Sequence, residues 1–195
     1  NRERDLRTGF SIPFRLSLAG MMQFAIKPMW GINYVTHPKF SLPQLDDHVD
    51  MSDGALSIGR YFTEMLDPSM NWDDVAEMVK LWGGEFCLKG IMSVGAAKRA
   101  VGIGCTGIIL SNHGGRQLDG VPTTLSVLPE ISKAVNGQLQ VIVDGGIRSG
   151  LDVVKAIALG ADACMIGRAW SFALAARGEA GVSHVLDIMK DEMRI

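Results

Sequence analysis

The stretch that decides the fold is VIVDGGIRSG, which covers residues 141–150. Its apolar residues 141–143 are typical of a buried strand, and Gly145 and Gly146 form a tight turn directly after that strand. A helix begins at Gly150. The stretch therefore predicts a strand, a turn and a helix in succession, with Asp144 and Arg148 at the carboxyl end of the strand.

The same alternation extends through the chain from about Trp72 onward. We predict a helix that Asn71 caps and Gly83–Gly84 ends, a second helix that Ser93 caps, strands over 85–90, 106–110, 139–143 and 161–166, and later helices over 127–135, 150–159 and 183–193. Short strands that alternate with helices of about ten residues indicate right-handed βαβ units and a parallel sheet.

The polar and glycine-rich residues of this region follow the predicted strands. The four strands lead into Lys89, the loop after Leu110, the turn after Val143, and Gly167–Arg168. A TIM barrel has its active site at the carboxyl ends of its strands, with phosphate commonly bound after the seventh and eighth. An open doubly wound sheet has the same local pattern, but no Gly-x-Gly-x-x-Gly follows a first strand here. We expect an α/β fold, with the barrel favoured.

Residues 1–70 contrast with this region, because they show no strand–helix alternation and hold five of the seven prolines. We predict a long irregular loop region there. Its apolar stretch Leu16–Val35 is interrupted by Gln23, Lys27–Pro28 and Asn33, so it does not predict a membrane span. Two interpretations stay open: contact with a membrane surface, or a loop with short helices packed on the protein or on another subunit.

The composition excludes several classes of protein. Apolar residues make up 47% and charged residues 21%, which is typical of a globular chain. A net charge of -2 argues against nucleic acid as a partner. The three cysteines are widely spaced in or beside apolar stretches, which predicts reduced thiols in the cytoplasm rather than a disulfide framework or a metal site.

A second motif carries the chemistry: SNHGGRQLD, residues 111–119, directly after the apolar run 107–110. His113 and Arg116 lie three residues apart with two glycines between them, on one tight turn at a strand end. Histidine can accept a proton near neutral pH, and arginine can hold a carboxylate through two hydrogen bonds. The pair predicts chemistry on a carboxylate substrate.

Together with Lys89 upstream and DGGIR (144–148) and Gly167–Arg168 downstream, this motif resembles the FMN-dependent 2-hydroxy-acid dehydrogenase family over the whole chain. That family includes glycolate oxidase, mandelate dehydrogenase and the bacterial respiratory L-lactate dehydrogenases. Inosine monophosphate dehydrogenases carry a similar phosphate turn, so the histidine loop makes the resemblance specific. The resemblance implies a TIM (β/α)8 barrel, of which residues 71–195 supply strands five to eight with their helices.

The resemblance also implies FMN as cofactor, a small 2-hydroxy acid, foremost L-lactate, as substrate, and roles for individual residues. His113 corresponds to the catalytic base, and Arg116 and Arg2 to substrate-binding residues, with Arg4 as the alternative to Arg2. The residues implied for FMN are Lys89, Ser111, Asp144, Gly145, Gly146, Ile147, Arg148, Gly167 and Arg168.

The chain departs from the family pattern because only four strands are predicted. The family's first four strands carry two substrate-binding tyrosines and the aspartate that orients the base. An eight-stranded barrel cannot close with four strands. We therefore expect a fragment that works only with an N-terminal half, with region 14–70 as the loop after the fourth strand. A homo-oligomer, a tetramer, is expected from the family.

The segment 33–39 resembles the long loop of membrane-associated lactate dehydrogenases, which pass electrons to quinone. This implies a cytoplasmic protein in peripheral contact with the inner face of the cell membrane. Two alternatives stay open: an oxidase that uses O2 on glycolate or mandelate, and a non-catalytic half-barrel that binds phosphate or serves as an assembly partner. The pairing of His113 with Arg116 argues against the half-barrel, because a phosphate site alone does not require it.

Overall fold

The computed structural model of the chain describes residues 18–36, 61 and 64–194. The chain divides into two compact units, Asn1–Met70 and Asn71–Ile195. Arg2 and Arg4 lie outside the described residues, as does segment 37–39. That the first unit is the loop after a fourth barrel strand stays a prediction.

The described residues of the first unit include two short helices, α1 (Leu18–Ala25) and α2 (Pro28–Thr36). Pro28 occupies the first position of α2, where its fixed φ and missing N–H are tolerated. Large apolar side chains on both helices are exposed: Leu18, Met21, Met22, Met29, Ile32 and Val35. Within the described part of the chain, no helix has the length and apolar character needed to cross a bilayer.

The second unit is a regular succession of strands and helices. Its elements are α3 (Trp72–Trp82), β1 (Cys87–Lys89), α4 (Val94–Gly102), β2 (Gly107–Ser111), α5 (Thr124–Val135), β3 (Gln140–Asp144), α6 (Gly150–Ala158), β4 (Ala163–Met165) and α7 (Arg168–Glu192). The strands form one parallel sheet in the order β1-β2-β3-β4. Each crossover therefore moves one strand further in the same direction, as in a barrel and unlike the reversal of a doubly wound sheet.

The core lies where the central strands meet the helices. Ile108, Leu110 and Val143 are fully buried on β2 and β3. The helical residues buried with them include Ala97 and Ala100 of α4 and Leu128, Ile131 and Val135 of α5. Burial of these aliphatic side chains removes apolar surface from water and fixes the helices against the sheet.

Side-chain caps determine where most of these helices begin. Asn71 and Asp74 form a capping box at α3, and Ser93, Thr123 and Ser149 cap α4, α5 and α6. The Thr123 cap explains why α5 begins at Thr124, earlier than the predicted 127. Helix α7 differs, since no side chain caps its first turn.

The prediction of a final helix over 183–193 was wrong in its start, because α7 begins at Arg168. The helix is interrupted at Arg177 and at Gly178, whose φ of 59° lies in the left-handed region. The apolar periodicity of 183–193 marks only the part after this kink. Residues 168–176 form the part of α7 before the kink, directly after β4.

Helix α6 starts in close contact with the end of α7. The amide of Gly150 donates to Glu192 Oε2 at 2.6 Å. A Cβ on Gly150 would overlap the backbone carbonyl of Met189, which a rotamer change cannot relieve. Residue 150 is therefore glycine because two helices meet there.

We predict that Gly150→Ala lowers stability by about 1–3 kcal/mol, because overpacking forces the backbone of α7 to move. Gly95→Ala in the first turn of α4 is the matched control, since a Cβ there meets nothing within 4 Å. The control should be neutral or stabilising, because alanine favours helix. Thermal unfolding of the intact protein checks both variants, and an equal Tm for the two would contradict the packing argument.

Candidate active site

The carboxyl ends of three neighbouring strands bring polar side chains to one edge of the sheet. β1, β2 and β3 end at Lys89, Ser111 and Asp144. Ser111 lies opposite Asp144 in the register, and Lys89 lies opposite Ile109. Residues that the chain separates widely are thus neighbours because the strands are parallel.

The Asp144 carboxylate is the centre of this group. Its Oδ2 accepts a hydrogen bond from Ser111 Oγ at 2.7 Å and forms an ion pair with Lys89 Nζ. Ser111 Oγ in turn accepts from the backbone amide of His113 at 3.1 Å. A continuous hydrogen-bonded path therefore runs from Lys89 through Asp144 and Ser111 to the backbone of His113.

These contacts also set the charge of Asp144. Burial alone would raise the pKa of this carboxyl, but hydrogen bonds from Lys89 and Ser111 and the positive charges of Lys89 and His113 outweigh it. The net result is a pKa below the ordinary value. Asp144 therefore stays ionised to a lower pH than an ordinary aspartate, and its charge pairs with Lys89.

The turn after β2 has an unusual backbone. The φ values of His113, Gly114 and Gly115 are 55°, 63° and 67°, all in the left-handed region. This region is costly for histidine, so surrounding contacts must hold it there. Asn112 provides two of them: its Oδ1 accepts from the Gly115 amide at 3.1 Å, and its Nδ2 donates to the Pro122 carbonyl at 3.1 Å.

The same turn carries both residues that the sequence predicts for chemistry. The Arg116 amide donates to the His113 carbonyl at 3.3 Å, which closes the turn. Both side chains are exposed. A proton acceptor and a guanidinium therefore project from one short loop at the carboxyl edge of the sheet, where both can contact a small molecule.

The glycine turn after β3 lies next to this loop. Gly145 and Gly146 have φ values of 101° and 84°, so both need glycine. Buried Thr124 donates to the Gly145 carbonyl at 3.3 Å, and a Cβ on Gly145 would lie 3.7 Å from Asn112 Oδ1. The turns after β2 and β3 are thus packed against each other.

The beginning of α6 is occupied by the protein's own carboxylates. Asp152 accepts from the amides of Arg148 and Ser149 at 3.0 and 3.1 Å, and Glu192 accepts from Gly150. The Arg148 amide is the main reason that the pKa of Asp152 is lowered. Two acidic side chains therefore accept from the amides at this helix start, where an anion could otherwise bind.

The beginning of α7 is different. Gly167 provides no side-chain cap, and the exposed Arg168 follows it. The Arg168 guanidinium donates through Nη2 to the carbonyl of Gly114 at 3.1 Å. A helix start without a cap, next to an arginine, is suited to an anion.

The structure thus brings together most of the predicted residues of the second unit. Lys89, Ser111 and Asp144 are connected directly, and Arg168 contacts the His113 turn. Ile147 is buried in the core, which suits packing rather than ligand contact. The residues that sequence reasoning missed are Asn112, Thr124 and Asp152. Of these, only Asn112 lies within the motif at residues 111–119. The sequence signal that could have identified it is that an asparagine side chain readily accepts a hydrogen bond from a nearby backbone amide.

Parallel strands in chain order, with polar loops at their carboxyl ends, define the class as a (β/α) barrel protein. The sequence model of the FMN-dependent dehydrogenase family matches residues 1–195, so the chain belongs to that family. It is 41% identical over 196 residues to an L-lactate dehydrogenase of Caulobacter vibrioides (strain NA1000 / CB15N) and 43% identical over 199 residues to one of Bartonella quintana (strain Toulouse). Both alignments cover 100% of this chain and 51% of the relative. The chain thus spans about half their length.

Solved structures agree on the fold. A monotopic membrane protein, (S)-mandelate dehydrogenase, superposes with a TM-score of 0.85 at 36% identity, over 98% of this chain and 50% of that one. A mandelate oxidase variant with a monooxide FMN adduct gives a TM-score of 0.62 at 48% identity, over 64% of this chain and 40% of that one. The prediction of an α/β fold of the TIM-barrel type is confirmed.

We predict that Asp144→Asn lowers Tm at pH 7, because the ion pair with Lys89 is lost. The pKa of Asp144 is lowered on folding, so its stabilisation is present above the unfolded pKa of about 3.9. It is lost as the pH falls through the lower folded-state pKa. The Tm difference between wild type and variant should therefore narrow as the pH falls below about 4.

The control for this measurement is Asp187→Asn, which makes the same chemical change at an exposed position of α7. It should leave Tm nearly unchanged at every pH. A difference for Asp144→Asn that stays constant down to about pH 2 would contradict the linkage.

Proposed function

We propose that this chain carries the base, the carboxylate clamp and the phosphate-side cofactor site of an FMN-dependent L-2-hydroxy-acid dehydrogenase, with L-lactate as the preferred substrate. The observation that supports this most strongly is the connected path from Lys89 to the His113 turn, at the carboxyl edge of a parallel sheet. Family membership and the similarity to L-lactate dehydrogenases support the reaction class and the substrate.

The donor set of the second unit fits FMN. Lys89 and Arg168 are exposed cations at the ends of β1 and β4, and Arg148 follows the glycine turn after β3. Gly145 and Gly146 leave space for a ligand because they have no side chains. The anionic phosphate is best matched to the uncapped start of α7, with Gly167 and Arg168, since carboxylates occupy the start of α6.

Ser111, Asp144 and Ile147 have supporting positions in this proposal. Ser111 and Asp144 would hold Lys89 and the His113 turn in place beside the cofactor. Ile147 would keep the glycine turn attached to the core. Lys89 uses one of its three N–H donors for Asp144, so it retains donors for an electron-rich ring.

FMN, when bound, supplies the acceptor for the two electrons that leave the substrate. Oxidation of a CH–OH unit to C=O removes two protons together with those two electrons. His113 would take one proton, from the α-carbon or from the hydroxyl, and the other would pass to the flavin or to solvent. Arg116 would hold the substrate carboxylate through two hydrogen bonds, with Arg2 as the proposed second clamp. The electrons would then pass to quinone or another acceptor.

The mandelate structures give a second candidate specific support. Mandelate dehydrogenase and mandelate oxidase share the fold of this chain, so an aromatic 2-hydroxy acid, with O2 as acceptor in the oxidase case, is the alternative substrate class. Bleaching of flavin absorbance under anaerobic conditions distinguishes the two. Faster bleaching with L-lactate than with (S)-mandelate or glycolate is the expected result, and no bleaching with any 2-hydroxy acid would refute the proposed activity.

We predict that His113→Ala lowers kcat by about 10²–10⁴-fold, because the proposed proton acceptor is lost. Arg116→Lys should instead raise KM about tenfold or more with a smaller effect on kcat, because a bidentate contact to the carboxylate is lost. Steady-state kinetics of the complete protein with L-lactate measures both.

Matched controls are His184→Ala and Arg177→Lys, which make the same changes at exposed positions of α7. Both should keep near wild-type kinetics. An unchanged kcat in the His113→Ala variant would show that His113 is not the base.

The barrel requires further strands. Within the described residues, β1 and β4 each have one neighbour in the sheet, and the relatives are about twice as long as this chain. We infer that an N-terminal half of the same barrel closes the sheet and completes the site, and that the protein assembles as a homo-oligomer, a tetramer. A site completed in this way encloses the substrate between the two halves.

A membrane contact is also part of the proposal, at the inner face of the cell membrane. Met22 of α1 and Met29 of α2 are 66% and 70% accessible, and Ile26, which precedes Lys27 in the connection between the two helices, is 71% accessible. Apolar side chains beside a cation suit a lipid surface with anionic headgroups. The structure of a monotopic membrane mandelate dehydrogenase that superposes on 98% of this chain supports this placement.

We predict that the double variant Met22→Asp with Met29→Asp loses binding to vesicles of phosphatidylglycerol and phosphatidylethanolamine, because two charges would enter the lipid surface. The control is Met22→Leu with Met29→Leu, which keeps both positions apolar. Cosedimentation of the complete protein measures the bound fraction. Equal binding by the two double variants would exclude these helices as the membrane contact.

A further inference from the structure

Arg168 joins two parts of the site that the chain separates by 54 residues. It begins α7, where the phosphate would lie, and its Nη2 donates to the carbonyl of Gly114 at 3.1 Å. Gly114 is the central residue of the left-handed turn that presents His113 and Arg116. The arginine at the anion site thus holds the backbone of the loop that carries the base.

A side chain at Gly114 would require the Arg168 guanidinium to move away from it. A Cβ built there would lie 2.8 Å from Arg168 Nη2, whereas a Cβ on Gly115 meets nothing within 4 Å. Both glycines have similar positive φ values, 63° and 67°. Gly114 is therefore constrained twice, by its backbone conformation and by the guanidinium, and Gly115 only by its conformation.

We propose that Arg168 is a positioning residue that couples occupancy of the phosphate site to the conformation of the His113 turn. This inference rests on the proposed function and adds to it that cofactor binding stabilises the turn that carries the base. Arg168 does not need to touch the substrate for this, since it acts through the Gly114 carbonyl.

The physical reason lies in the geometry of the guanidinium. It has five N–H donors in a rigid plane, so one donor can serve Gly114 while others face a phosphate oxygen. An exposed arginine without a ligand moves among rotamers, and a bound anion restricts it. The entropy lost when the Arg168 side chain is ordered is then shared between its contact with the anion and its hydrogen bond to Gly114. Anion binding therefore favours that hydrogen bond, and with it the strained turn.

The coupling must also act in the opposite direction. If phosphate binding stabilises the turn, a disturbed turn must weaken phosphate binding by the same factor. Substitutions within the His113 loop, away from the phosphate itself, are therefore expected to lower the affinity for FMN. This reciprocity gives the inference a readout other than catalytic activity.

The first experiment measures hydrogen exchange in the complete apoprotein, with FMN removed, in the presence of inorganic phosphate or FMN. The amides of His113, Gly115 and Arg116 report on the turn, because each is hydrogen-bonded within it. In wild type, saturating ligand should slow their exchange by about fivefold or more.

The variants separate coupling from simple loss of charge. Arg168→Lys keeps the positive charge but lacks the planar guanidinium that can bind Gly114 and an anion at once. Saturating ligand should therefore no longer slow hydrogen exchange of the amides in the turn. Arg148→Lys makes the same change at another proposed phosphate residue whose contacts are with α6, and saturating ligand should still slow exchange there. Circular dichroism of each variant establishes that it is folded.

The second experiment compares Gly114→Ala with Gly115→Ala by titration of FMN fluorescence. Both place alanine at a positive φ, but only Gly114→Ala displaces the guanidinium. We expect the dissociation constant for FMN to rise about fivefold more for Gly114→Ala than for Gly115→Ala.

The outcomes distinguish the two proposals. If wild type fails to bind FMN, both the proposed function and the coupling are refuted. If wild type binds FMN while exchange in the turn stays unchanged, or if the two glycine variants bind FMN equally, the coupling alone is refuted.

Discussion

The carboxylate of Asp144 is the interaction on which the site depends. It belongs to β3, yet it holds Lys89 from β1 across the intervening β2, and it fixes Ser111 at the end of β2. Three strand ends are thus tied to one half-buried charge. Such an arrangement is stable because each charge and polar atom has a partner at the same edge. The loop that carries His113 is attached to this cluster by its own backbone amide.

Much of this arrangement follows from the sequence, and the reasons are physical. The order of strands and helices in the second unit was predictable because apolar runs, capping residues and glycine turns alternate regularly from Trp72 onward. The positions of Lys89, Ser111 and Asp144 at one edge follow from parallel strands alone. The early start of α7 did not follow, since the kink at Arg177 and Gly178 separates residues 168–176 from the periodic part of the helix.

Contacts between distant residues were not predictable in this way. The sequence does not indicate that Glu192 reaches the amide of Gly150, or that Arg168 reaches the carbonyl of Gly114. Both depend on the packing of α7 against earlier loops. The sequence DGGIR does not indicate that the protein's own acids, Asp152 and Glu192, occupy the helix start beside it. Which of two neighbouring helix starts is open to an anion is a property of the tertiary structure.

The uncapped start of α7 has a consequence for the folded protein as a whole. A side chain caps the first turn of each of the helices α3 to α6, whereas no side chain caps the first turn of α7, where we propose that the cofactor phosphate binds. A partner that binds only the folded state stabilises it by about 2.7 kcal/mol at a hundredfold excess over its dissociation constant. Cofactor supply in the cell would then set how long the polypeptide survives proteolysis, in addition to whether it is active.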